Sequence, residues 1–152
     1  METYHLHSLY SQRQKYPKSK TAHESILWLG AHYLENSDFN NAIVNYRKFI
    51  ADFPGSEKLD LAYYELGRAY EANGEHEQAI SALKHVTDGE NRELYSKAKI
   101  AIADIFSRDL DPASAIQTYQ NIINSSPEFK RDAYIKIAEV NKKIKNYEQS
   151  ID

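Results

Sequence analysis

Fifteen residues from Leu29, LGAHYLENSDFNNAI, return in altered form as LGRAYEANGEHEQAI from Leu66, IADIFSRDLDPASAI from Ile102 and IAEVNKKIKNYEQSI from Ile137. The starts lie 37, 36 and 35 residues apart. Self-similarity at a fixed period of this size marks a solenoid, in which each repeat buries its apolar face on its neighbours rather than in one central core. The repeat therefore restricts the chain to a stack of short helical pairs.

Within the fifteen residues each place has a physical reading. The second is small, Gly30, Gly67, Ala103 or Ala138, and Tyr33, Tyr70 and Phe106 follow one helical turn on, so small and aromatic residues alternate along one face. The fourth copy departs with Asn141. Breaks are expected at Asn36-Ser37, Asn73-Gly74, Asp109-Leu110-Asp111 and Lys145-Asn146, each starting a second helix. That helix opens on its own small residue, Ala42, Ala79, Ala115 or Ser150, followed by Ile43, Ile80, Ile116 or Ile151. Its core face continues through Tyr46, Phe49 and Ile50, through Leu83 and Val86, and through Tyr119, Ile122 and Ile123. Pro54 and Pro127, with Pro17 before them, stand where these second helices close, and Asn91 takes the matching place in between. Capping chemistry predicts helix starts near residue 112, after Asp111, near 127, after Ser126, and near 22, where Thr21 and Glu24 form a capping box.

The pattern Leu-Gly-x-x-Tyr, then Ala, then an aromatic residue or Leu, then Pro, resembles the tetratricopeptide repeat, a helix-turn-helix unit, and the resemblance covers nearly all of the chain. It implies an all-α fold, a right-handed α-solenoid of antiparallel helix pairs. The organisation expected is a single array over 1–152: a half unit at 2–16, full units at 22–54, 58–88 and 92–126, and a truncated unit at 127–152. Its structural signature comprises Gly30, Tyr33, Ala42 and Pro54, then Gly67, Tyr70 and Ala79, then Ala103, Ala115 and Pro127. The phrase FPGSEKLDLAYYELG and the ILWLG ahead of Ala31 are similar to a bacterial subgroup, which includes the periplasmic partner of the Tol-Pal system and the outer-membrane assembly lipoproteins. That likeness implies a periplasmic or cell-envelope location, with the cytoplasm as the alternative.

Chemistry is hard to place on this chain. There is no cysteine, which removes disulfides, thiolate zinc sites and thiol catalysis together. His23-Glu24 begins like a zinc-protease helix, but Leu27 stands where the second ligand would be. His5 and His7 point to different sides of a helix, and no nucleophile elbow or phosphate loop occurs. No catalytic, metal or cofactor site is expected, and the chain is read as a non-enzyme. No run of about twenty apolar residues is present to span a membrane, and no signal segment follows Met1.

Twelve tyrosines could stack bases, so an RNA-binding helical repeat is the first alternative function. The formal net charge of −3, and seven acids against two bases over residues 52–77, set repulsion against phosphate. The exception is 128–145, where Lys130, Arg131, Lys136, Lys142, Lys143 and Lys145 oppose three acids. The reading favoured is a scaffold that binds a protein partner, as a helix or extended peptide, in a concave groove lined by Leu27, Trp28, Tyr64, Arg68, Ile100, Asp104 and Ile135. The basic clamp for acidic chaperone tails is missing, since Leu27, Ala31, Tyr64 and Arg68 fill its places.

The chain begins and stops mid-repeat, which suggests a piece of a longer envelope protein. Leu6 and Leu9 in part at one end, and Tyr134, Ile137 and Ile144 at the other, are then expected to face water, with residues 146–152 frayed unless a contact between such ends orders them. Structural self-assembly through these open ends is the second alternative.

Overall fold

Alternating small and large residues at helical spacing should give short helices stacked face to face. The computed structural model describes residues 20–151 apart from 90, 109 and 110. The expected half unit at 2–16, with His5, Leu6, His7, Leu9 and the nearby Pro17, lies outside the described residues. Among these, the chain is all-helical, with seven α-helices, one 3-10 turn and no strand, and the helices pack in adjacent pairs as in a helical repeat. It forms two compact units, divided between His85 and Val86.

The first unit contains α1 (Lys20–Glu35), α2 (Phe39–Asp52), α3 (Leu59–Ala72) and α4 (His76–Leu83), each packed on the next. The first two turns have the same build. Ser37 (φ 59°) and Gly74 (φ 80°) take the left-handed conformation just past a helix, where the chain must reverse. The amides of Asp38 and Glu75 then donate back to the carbonyls of Tyr33 (2.8 Å) and Tyr70 (2.9 Å), closing the helix ends. Asp38 also caps α2, accepting from the amide of Asn41.

The small places are where helices touch. A Cβ on Gly30 would stand 2.7 Å from the ring of Tyr46, and one on Gly67 would stand 2.5 Å from Leu83 Cγ. Ala42 and Ala79 are wholly buried. Ala42, Ile43, Tyr46, Leu66, Ala69 and Ala82 form one core cluster, and Ile26, Phe49 and Ala62 build a second with Phe53 against it. There the His23 ring stacks on Phe49 (4.7 Å), and its Nε2 meets the Ser56 hydroxyl at 2.7 Å. Thr21 stands inside α1, not ahead of it, so the capping box drawn on Thr21 and Glu24 is not the start of this helix. Helix α4 is also shorter than the run expected through Val86. Lys84 and His85 tighten onto the carbonyls of Ile80 and Ala82, His85 stacks on Tyr63, and the Thr87-Asp88-Gly89 that follows does not favour helix.

The second unit contains α5 (Arg92–Arg108), α6 (Pro112–Ser125), a 3-10 turn (Pro127–Phe129) and α7 (Lys130–Ile151). Asn91 and Asp111 cap α5 and α6 by accepting from the amides of Leu94 (3.0 Å) and Ser114 (3.1 Å). Ser126 does otherwise. Its hydroxyl makes no cap and instead shares a buried 2.6 Å hydrogen bond with Ser96, tying the close of α6 to α5. The core is Ala103, Ala115, Tyr119, Ile122, Ala133 and Val140.

The expected break at Lys145-Asn146 does not occur, and α7 runs unbroken for 22 residues. Neither residue has the positive φ that Ser37 and Gly74 supply at the earlier turns, and lysine is a good helix former, so nothing local stops the helix. Residues 146–151 continue it as helix. Ile137 and Ile144 pack half-buried against the core, while Tyr134 is exposed as expected.

Candidate functional site

Residues 27, 28, 31, 34 and 35 recur at helical spacing along one side of α1, and residues 61, 65 and 68 do the same on α3, just past Lys58. These two lines of side chains border a groove of about 450 Å³ in the first compact unit. From α1 come Leu27, Trp28, Ala31, Leu34 and Glu35, and from the α3 side Lys58, Leu61, Glu65 and Arg68. The floor is Tyr46 of α2.

Most of the lining is apolar, and two large side chains are left open to water: Trp28 and Leu61 are each 40% exposed. Trp28 stacks on His32 (5.1 Å between ring centres, 10° apart). A half-open aromatic side chain presents large contact area at low entropic cost. An ion pair lies beside them, with Glu65 the more buried partner and Arg68 the more exposed. Arg68 Nη1 donates to Glu65 Oε2 at 2.9 Å. Burial pushes the Glu65 carboxyl above its usual range, and the guanidinium of Arg68 works against that shift. Tyr46 is 1% exposed, and its hydroxyl is buried with no hydrogen-bond partner among the described residues. Burial first, and Glu65 next, keep that phenol protonated far above its ordinary range. It remains a donor.

Of the residues expected to line a groove, Leu27, Trp28 and Arg68 meet here. Leu27 also packs on both core clusters of this unit. Tyr64 is half-buried on α3 and does not join the lining. The other three belong to the second unit. There Ile100 packs against the core, Ile135 is 48% exposed, and Asp104 is engaged internally. Its Oδ1 accepts from the Tyr119 hydroxyl at 2.6 Å and pairs with Lys136 Nζ at 3.0 Å.

By period alone Tyr46 is a core residue, and no motif in the sequence marks Leu34, Glu35, Lys58 or Leu61 as groove residues. A cross-repeat comparison holds the missing signal for Tyr46. It occupies the place of Tyr119, but the residue in the place of Asp104 is Ala31.

Among the described residues no group of three or more histidine, aspartate or glutamate side chains converges as a metal site would, and no helix is long and apolar enough to cross a membrane. No curated protein matches the sequence. The profile of YfiO, described as an outer membrane lipoprotein, matches residues 5–152. The match falls on the outer-membrane lipoprotein side of the resemblance seen in the repeats. With its helical pairs, its tetratricopeptide pattern and a profile match over almost its whole length, the chain belongs to the YfiO family of outer membrane lipoproteins, a family of the bacterial cell envelope.

Proposed function

We propose that the chain is a non-catalytic scaffold of outer-membrane assembly, which holds a helix or an extended segment of another protein along the groove between α1 and α3. The observation that carries this reading is the pairing of Trp28 and Leu61, two large apolar side chains left half-open on facing walls, with the Glu65–Arg68 pair beside them. Apolar anchors of this kind supply affinity, and flanking charges set register. Formal charges along the lining cancel, Glu35 and Glu65 against Lys58 and Arg68, which suits a peptide better than a polyanion.

A photo-crosslinking amino acid at position 61, compared with one at Gln78 on the exposed side of α4, tests this in living cells. The expected result is a discrete protein adduct at 61, missing at 78 and lost when Trp28 is changed to Glu. Equal adducts at both positions, or adducts to RNA, would contradict it.

A further inference from the structure

Each pair of helices in the chain closes at one place. A small residue of the first helix, Gly30 on α1 or Gly67 on α3, lies against a large side chain of the second, Tyr46 or Leu83, and Ala103 on α5 is wholly buried at the corresponding place. That large side chain keeps a fixed spacing from the start of its helix: Tyr46, Leu83 and Tyr119 each stand eight residues after an acid at the N-cap, Asp38, Glu75 or Asp111. The fourth first helix is α7, and its small residue, Ala138, is exposed. Helix α7 packs by its other side on α6 and the 3-10 turn, and it continues through Lys145, the place at which Ser37 and Gly74 turn the chain back. No second helix covers Ala138 among the described residues.

This bare face differs from the faces that are covered. Tyr33, Tyr70 and Phe106, one turn past the small residue, pack on the cores, but Asn141 holds that place on α7. With Ala138 it lines a shallow trough, together with Lys142, Lys145, Asn146 and Gln149. Two cations and three amides line the trough, and no acid does. One turn earlier Tyr134 (55% exposed) and Ile135 (48% exposed) flank Ala138, so the strip is apolar at one end and basic at the other.

The repeat fixes how a helix would lie there. An antiparallel second helix sets its N-cap just after the seventh residue past the small one, as Asp38 follows Ser37 and Glu75 follows Gly74, and on α7 that seventh residue is Lys145. An acid at the N-cap then meets Lys145 and Lys142, and a large apolar side chain eight residues on meets Ala138 beside Tyr134 and Ile135. Charge at one end and an apolar knob at the other give the fit a direction. A bilayer surface has no use for the notch at Ala138 or for three amides.

We propose that α7 accepts a helix of another protein as its second helix, antiparallel, with Asp or Glu at its start against Lys142 and Lys145 and a large apolar residue eight positions later over Ala138. The site shares no residue with the groove of the first unit.

The probe is a stapled helical peptide copying residues 111–125, which begins on an acid, carries Tyr119 eight positions on and has no base. With a fluorescent label on it, anisotropy is expected to show saturable binding to the whole chain. Lys145→Glu should weaken binding about fivefold, since one surface attraction becomes a repulsion, and the Asp111→Lys form of the peptide should restore it. Ala138→Arg fills the notch and should abolish binding, with circular dichroism confirming that the variant folds. Leu61→Asp, in the groove, should change nothing, so the two sites stand or fall separately. The proposal is overturned if the peptide does not bind, if Ala138→Arg leaves its affinity unaltered, or if the charge swap restores nothing. It is overturned equally if the chain ignores the peptide and instead binds phosphatidylglycerol vesicles through Lys142 and Lys145.

Discussion

Gly67→Ala adds one carbon where α3 meets α4. That carbon would lie 2.5 Å from Leu83 Cγ, 2.8 Å from Leu83 Cδ2 and 3.3 Å from the carbonyl oxygen of Ala79. Carbon atoms in contact prefer about 3.5–4.0 Å, so Leu83 must move by an ångström or more. It has little room, being only 1% exposed, and the Ala79 carbonyl is backbone. Overpacking of this kind costs about 1–3 kcal/mol. Against it stands the gain of alanine over glycine inside a helix, up to about 1 kcal/mol. The net expectation is a loss of about 1–2 kcal/mol, which for a unit of this size lowers the melting temperature by roughly 4–15 °C. Urea titration followed by helical circular dichroism and Trp28 fluorescence measures it. Gly55→Ala is the control, since nothing lies within 4 Å of the added carbon there. Adding Leu83→Ala should make the alanine at 67 much less costly, because the clashing side chain is gone. A Gly67→Ala protein as stable as the parent would refute the close approach of α3 and α4, and with it the register of the repeats.

Three further outcomes follow from named contacts. Tyr46→Phe should leave stability unchanged or raise it by up to about 1 kcal/mol, while Tyr119→Phe should lower it by about 1 kcal/mol, because only the second removes a hydrogen bond; paired thermal melts compare them. Gly74→Ala should cost about 1–2 kcal/mol, since alanine resists the left-handed backbone the turn requires, again read by urea titration. The carboxyl of Asp111 is held below its usual range by its hydrogen bonds to Ser114. A depressed folded pKa gives stability present above the unfolded value and lost as pH falls through the folded one. Asp111→Ala should therefore flatten the acid limb of the stability profile, measured by melts from neutral pH downward.

The helical pairing was legible because it is written in steric terms. Gly30 opposite Tyr46 and Gly67 opposite Leu83 are small-large pairs whose spacing survives even where residue types drift. Asp111-Pro112 marked the start of α6 for an equally local reason, a capping side chain before a residue with fixed φ. What was not legible depends on partners distant in sequence, or on the lack of a stop signal. Lys145-Asn146 aligned with turns, yet neither residue forces a turn and α7 continues through both. Ser126 looked like a cap, but its hydroxyl has a buried partner in Ser96, thirty residues away. Tyr46 fits the core by period alone. That its hydroxyl is buried without a partner goes with Ala31 standing where Asp104 stands beside Tyr119, and it shows only when one repeat is compared with another in three dimensions.

The groove between α1 and α3 as the place where a partner segment sits is tested most directly by isotope-labelled protein titrated with the peptide fragment of whichever protein is captured at position 61. The account predicts saturable shifts concentrated at Leu27, Trp28, Ala31, Leu61 and Arg68, abolished by Leu61→Asp. Shifts centred on exposed Val44 of α2, or unaltered by Leu61→Asp, would contradict it.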